Sequence, residues 1–293
     1  MKNFKYLALY TFFFVAITTW ACDFCGCATN GGSLGLLNLD KNSFLGMRYI
    51  NQSYKTNDGM YQNSLWKNEE YNTLQIWGKI NLSNRFFISA ILPYHFHNRS
   101  LDTNSKNISG LGDAIILGGF NAIDKEKHQL QLSVGVKLPS GIYDEMSNGS
   151  TNPGFQLGTG SLDYLVAADY KFAFSNFIWT TTINYTYKTE NSKHYKFGNQ
   201  LNVSSSIGYK INSKSIDIIP NIGVASEVYA TNTFYDYNVL NTKGDITLLK
   251  LGSDVKLKDF TVGFQYQSPI SQNLNSGLVK NNSRSSIYIN YNF

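Results

Sequence analysis

The chain has 293 residues, of which 15% are aromatic and only 15% charged, with 20 Tyr and 19 Phe among them. Its formal charge of +5 falls to +3 once Lys2 and Lys5 are set aside, and no basic cluster is present, so nucleic acid is excluded as a partner. Beyond residue 21 no apolar run approaches 18 residues, which excludes helical membrane spans but does not test spans made of strands.

Lys2 and Lys5 lead into an apolar stretch over residues 7–17, and Thr19-Trp20-Ala21 stands directly before Cys22. This is the layout of a secretory signal, and the apolar run is shorter than the roughly 20 residues a membrane helix needs. Residues 1–21 are therefore read as a signal peptide, 22–43 as a periplasmic segment and 44–293 as the folded body. All three cysteines of the chain fall in Cys22-Asp23-Phe24-Cys25-Gly26-Cys27. Soft thiolates this close together suit Cu(I) or Zn, with a fourth ligand needed to complete a tetrahedral site. Two other readings stand beside the metal. One is a Cys22–Cys25 disulfide in an oxidising compartment. The other is a lipid on Cys22, although Thr19-Trp20 departs from the aliphatic residue usual before a lipidated cysteine.

From Phe44 onward the side chains alternate with period two. Leu74, Ile76, Ile80 and Leu82 share one face, with Gln75, Lys79 and Asn81 opposite. Leu130, Leu132, Val134 and Val136 alternate with Gln129, Gln131, Ser133, Gly135 and Lys137. Leu201, Val203, Ile207 and Tyr209 alternate with Asn202, Ser204, Ser206, Gly208 and Lys210. Soluble strands average five or six residues, whereas a tilted membrane strand needs about 9 to 11, the length of these runs. The pattern predicts twelve strands: 44–54, 69–81, 85–97, 112–122, 128–138, 161–172, 176–188, 198–211, 215–228, 245–257, 259–268 and 283–293. Tight turns fall at Ser83-Asn84, at 124–127, at Ser175, at 212–214 and at Lys258, and they alternate with longer loops at 55–68, 98–111, 139–160, 189–197, 229–244 and 269–282. Short turns opposite long loops are the pattern of an all-β, transmembrane antiparallel up-and-down barrel of the bacterial outer membrane, with both termini in the periplasm and aromatic girdles at the two lipid interfaces. The last nine residues, 285–293, alternate up to a terminal Phe293, which resembles the closing strand that the barrel-insertion machinery recognises.

Three glycine-rich junctions carry a further resemblance. Gly110-Leu111-Gly112-Asp113 opens one strand, Leu138-Pro139-Ser140-Gly141 closes another, and Gly158-Thr159-Gly160-Ser161 with Asp163 opens the next. Together they resemble the outer-membrane transporters of the meta-pathway phenol-degradation family, over residues 40–293. The resemblance implies a porin-like fold and uptake of small organic compounds across the outer membrane, without fixing a substrate.

Alternation places Arg48, Lys79, Lys137, Lys171 and Lys210 on the inward face, against Asp163, Asp169 and Asp217. A lumen of such mixed sign offers no clear ion selectivity, and twelve strands make a barrel narrower than a general porin. His95 and His97 lie two apart on one strand and share its inward face with Ser89, as polar lining, a constriction or a second metal site. Twelve strands also match an outer-membrane phospholipase, which needs Ser two residues from His. Here the residues two after each His are His97, Arg99, Leu130 and Lys196, so an enzyme is not expected. The expectation is an outer-membrane channel or carrier for a small organic solute or a metal complex. The alternative is a barrel that anchors a metal-handling segment through Cys22, Cys25 and Cys27. The partners implied are outer-membrane lipid, the solute and, through Phe293, the insertion machinery.

Overall fold

A computed structural model describes residues 42–57, 65–100, 105–147, 150–213 and 216–293. The expected signal peptide, residues 1–21, and the three cysteines expected to bind a metal lie outside the described residues.

Twelve antiparallel strands form one closed sheet. They are β1 Phe44–Thr56, β2 Lys67–Asn81, β3 Phe86–Ser100, β4 in two runs Ser105–Leu111 and Ile115–Asp124, β5 His128–Lys137, β6 Asp163–Phe174, β7 Phe177–Tyr187, β8 Gln200–Tyr209, β9 Ile216–Tyr229, β10 Gly244–Leu257, β11 Phe260–Leu274 and β12 Val279–Asn292. Each strand pairs with its chain neighbour, and β12 returns to β1 from Phe44↔Asn292 to Thr56↔Val279, with one register shift between Ser53 and Tyr54. Closure satisfies the backbone of both end strands, which an apolar surface demands.

Side-chain alternation decides what faces out. On β1, Leu45 and Met47 are 59% and 48% exposed, while Phe44 and Arg48, on either side of them, are buried. The apolar face is thus the outer one and the polar face the lumen. Ring pairs Phe86–Phe120, Phe177–Tyr209 and Phe260–Tyr291, exposed except for the half-buried Phe120, stand at the turn end with centroids 5.1–5.3 Å apart. They make the girdle expected at a lipid interface. Inside, large rings are accommodated by glycine on the facing strand: a Cβ on Gly119 would stand 1.9 Å from the Phe87 ring.

All twelve expected strands are present, and the tight turns at Ser83-Asn84, 124–127, Ser175 and Lys258 lie where the sequence puts them, whereas Asn212 and Ser213, expected in a turn, pair with Asp217 and Ile216 of β9, and Lys214 lies outside the described residues. Ser175 and Lys258 take positive φ values of 52° and 48°, as two-residue hairpins require. The loop end differs from expectation. Residues 98–111 are not an open loop: β3 continues to Ser100 and pairs with the first run of β4, Asn98 opposite Asn107. Nor are 269–282, since β11 and β12 continue to a short turn at Asn275–Gly277. Above the lipid band a strand no longer needs an oily face, so polar residues such as Asn98, Ser100 and Asn273 pair without announcing themselves. The third difference is residues 139–160, which fold back into the barrel and bury Tyr143, Phe155, Leu157 and Thr159. Phe155 and Leu157 join Tyr54, Tyr71, Tyr229 and Leu274 in an apolar cluster that fills the loop end of the lumen.

Candidate functional site in the lumen

β4 is interrupted at Gly112-Asp113-Ala114, β5 ends at Lys137 and β6 begins at Asp163. The three glycine junctions of the sequence meet at this point. Asp113 Oδ2 accepts from Lys137 Nζ at 2.6 Å, from the Thr159 amide at 2.9 Å and from the Thr159 hydroxyl at 2.8 Å. Its Oδ1 accepts from the Gly141 amide at 3.1 Å. Lys137 Nζ also lies 2.9 Å from Asp163 Oδ2 and contacts Thr159 Oγ1. Asp163 Oδ1 accepts from Ser161 Oγ at 2.8 Å and from the Thr189 amide at 3.0 Å. Ser140 Oγ donates to Gly112 O at 2.7 Å and accepts from the Ala114 amide at 2.9 Å. Gly141 and Gly158 stand back to back, so that a Cβ on Gly141 would come within 2.7 Å of Gly158 Cα. One ammonium and two carboxylates are thus removed from water together. Such a cluster is tolerable only because nearly every lone pair has a donor.

This clasp fixes where the wall stops. Above Lys137 and Asp163 neither β5 nor β6 continues, and the first run of β4 pairs with β3 alone among the described strands. The chain between Lys137 and Asp163 turns inward instead. Tyr71 OH donates to Gly154 O at 3.0 Å, the Arg99 guanidinium lies 4.3 Å over the Phe155 ring, and Lys106 pairs with Glu145. Gln156 Nε2 ties the segment to itself through Glu145 O at 2.8 Å and Asn152 O at 2.7 Å.

Beside this segment, His95 and His97 point into the lumen, fully buried, with ring centroids 4.7 Å apart. His95 Nδ1 bonds Thr73 Oγ1 at 2.8 Å, and the His97 ring meets Tyr71 edge-on at 4.8 Å. Nε2 of each histidine is buried without a hydrogen-bond partner. Among the described residues no group of three or more His, Cys, Asp or Glu is arranged to hold a metal.

Of the other inward charges expected from the sequence, Arg48, Lys79 and Asp169 are buried in the lumen. Arg48 donates to Gln75 Oε1 through Nε at 2.9 Å and Nη2 at 2.7 Å, and lies 4.6 Å over Trp77. Lys79 lies 5.5 Å over Phe87, and Asp169 Oδ1 accepts from Thr182 at 2.7 Å. Lys171 is half-buried at the turn-end mouth. Lys210 is not in the interior: it sits at the rim, 37% exposed, paired with Asp217 at 2.8 Å. Sequence reasoning missed Asp113 as the partner of Lys137, and two further buried ion pairs. Arg99 meets Glu69 at 2.6 Å, and Arg284 meets Glu227 at 2.7 and 3.1 Å. The parity of β2, β3, β9 and β12 puts these charges inward and was the available signal.

The family model for the MetA-pathway of phenol degradation matches residues 66–273, most of the barrel. The chain belongs to that family. Among curated proteins, none matches it. Among solved structures it is similar to an outer membrane channel of Pseudomonas putida F1, at 14% identity and a TM-score of 0.69, over 87% of this chain and 97% of that one. The β domain of the Bordetella autotransporter BrkA aligns at 8% identity and a TM-score of 0.53, over 86% of this chain and 100% of that one. At such identities the likeness is one of fold. That fold, the apolar outer face and the family place the protein in the outer membrane.

Proposed function

We propose that the protein is a passive outer-membrane channel for a small organic solute, with the short turns and both termini on the periplasmic side. The observation that carries this reading is the closed wall with an ionic interior, whose loop end is filled by a chain segment hinged on the glycine clasp. A wall alone needs no such segment. Residues 139–160 are held at both ends by the clasp and between them by Tyr71 at Gly154, Arg99 at Phe155, Lys106 at Glu145 and Tyr143 packed on Phe197, and displacement of the part between the clasp residues opens a path from the loop end to the polar half of the lumen. Membership of a family described by phenol degradation supports an organic solute, and the shared fold with an outer membrane channel of P. putida supports transport over catalysis. Phe293, 61% exposed at the end of a strand with an apolar outer face, supports delivery by the barrel-insertion machinery. The test is uptake of small organic solutes by liposomes holding the purified barrel, measured against protein-free liposomes.

A second reading is metal handling, by Cys22, Cys25 and Cys27 or by the histidine pair. The unpartnered Nε2 atoms of His95 and His97 favour it, since imidazole nitrogens suit Zn or Cu. Metal analysis of reduced protein and of the His95→Ala/His97→Ala variant tests it. Metal at background in both would remove this reading.

A further inference from the structure

The two ends of the lumen treat charge differently. At the loop end and the clasp, three buried cations meet carboxylates, Arg284 with Glu227, Arg99 with Glu69 and Lys137 with Asp113 and Asp163, while Lys188 lies 5.6 Å over the Phe197 ring. Toward the turn end the balance tips. Arg48, Lys79, Lys171, Lys250 and Lys256 all lie at inward positions, against Asp169, Asp254 and Asp217, the last directly opposite Lys256 in the β9–β10 ladder. Asp254 Oδ1 accepts from Tyr288 OH at 2.6 Å, and Lys250 Nζ donates to the neutral Ser204 Oγ at 2.6 Å.

The excess is gathered around a cavity. At the turn-end mouth a space of about 320 Å³ is lined by Lys171 of β6, Lys256 of β10 and Lys258 of the following turn, with Asp259 as its one carboxylate. The remaining lining is Asn42, Gln129, Thr261 and Asn292, groups that donate hydrogen bonds as readily as they accept them. A volume of this order falls at the lower end of small-molecule sites, roughly 300–1,000 Å³. Amines in excess of carboxylates around a mouth concentrate the counter-ion, and Arg and Lys linings are how pores select anions.

We infer that the turn-end mouth is a binding site for small organic anions, a carboxylate on a compact body, so that the solute the channel delivers carries negative charge. The ammonium groups of Lys171 and Lys256 hold the carboxylate, and Lys79, Lys250 and Arg48 extend the same field deeper into the lumen. This inference rests on the channel reading and names its class of substrate.

The test is calorimetric binding of benzoate and of benzylammonium to the full barrel in detergent micelles at neutral pH. Benzoate is expected to bind at least tenfold more tightly than benzylammonium. Lys171→Gln with Lys256→Gln is expected to lose that preference, while Lys171→Arg with Lys256→Arg keeps it. Heat-modifiable migration on gels confirms that each variant is folded. Equal binding of the two probes, no binding of either, or an unchanged preference in the glutamine variant would overturn the inference, and inorganic phosphate competing as well as benzoate would overturn its organic part. The channel reading fails separately. A barrel that binds benzoate but passes no solute into liposomes keeps the site and loses transport, whereas one that passes both probes equally keeps transport and loses the site.

Discussion

At the loop end and the clasp, deeply buried cations are tied to carboxylates; at the turn-end mouth Lys171 and Lys256 are only half-buried, and inward cations outnumber carboxylates. Arg284 and Glu227 are both fully buried and bidentate, with Tyr229 also bonded to Glu227, so nothing there remains for a ligand to claim. Around the mouth, Lys171 and Lys256 border a cavity together with amides and a hydroxyl. The same residue types thus serve two purposes within one lumen. Where a cation meets its carboxylate it holds the wall together, and where cations are in excess they shape what passes.

If that division is right, removing a charge has opposite consequences at the two ends. The largest effect is expected from Lys137→Met, which strands Asp113 and Asp163 in a dry site. Breaking a buried pair in this way costs about 3–5 kcal/mol, read as a lower unfolding midpoint in urea with the barrel in micelles. Adding Asp113→Asn and Asp163→Asn to the same chain should recover a large part of the loss, because neutral amides need no counter-charge. Glu227→Ala should cost about 3 kcal/mol by the same assay, since Arg284 is left without its partner. Next comes Gly141→Ala, whose new methyl meets Gly158 backbone; overpacking of this kind costs about 1–3 kcal/mol and should loosen the root of the inward segment, measured as faster proteolysis within 139–160. The smallest effect on stability is expected from Lys256→Gln, within about 0.5 kcal/mol as for other sites outside the packed interior. Its mark should fall on selectivity instead, with the reversal potential in a KCl gradient shifting toward cations. A Lys256→Gln barrel as unstable as Lys137→Met would erase the distinction between the ends.

The wall was legible in the sequence because a lipid-facing strand must show one oily face along its whole length. Leu74, Ile76 and Ile80 could be sorted from Gln75 and Lys79 without any knowledge of neighbours. Inward parity found Arg48, Lys79, Lys137, Asp163 and Asp169 for the same reason. What alternation does not encode is partnership across the lumen: Asp113 sits in a break between two strand runs, where parity has no meaning, and its bonds to Gly141 and Thr159 span 28 and 46 residues. The inward course of 139–160 was hidden too, since Pro139, Gly141 and Gly158 read equally well as an outer loop. The aromatic residues Tyr143 and Phe155 in so polar a stretch were the trace of its burial. Asn98 to Ser100 and Ser271 to Asn273 were read as loops because strands above the lipid lose the apolar face by which strands are recognised.

Transport through a lumen whose loop end is closed by its own chain is the claim on which these readings depend. Benzoate uptake by liposomes containing either the native barrel or Tyr71→Phe with Phe155→Ala, which removes two anchors of the inward segment, tests it most directly. The native barrel should admit benzoate faster than lipid alone, and the variant should admit it several-fold faster still. Uptake no faster than lipid alone with both proteins, each shown to be folded and inserted, would contradict it.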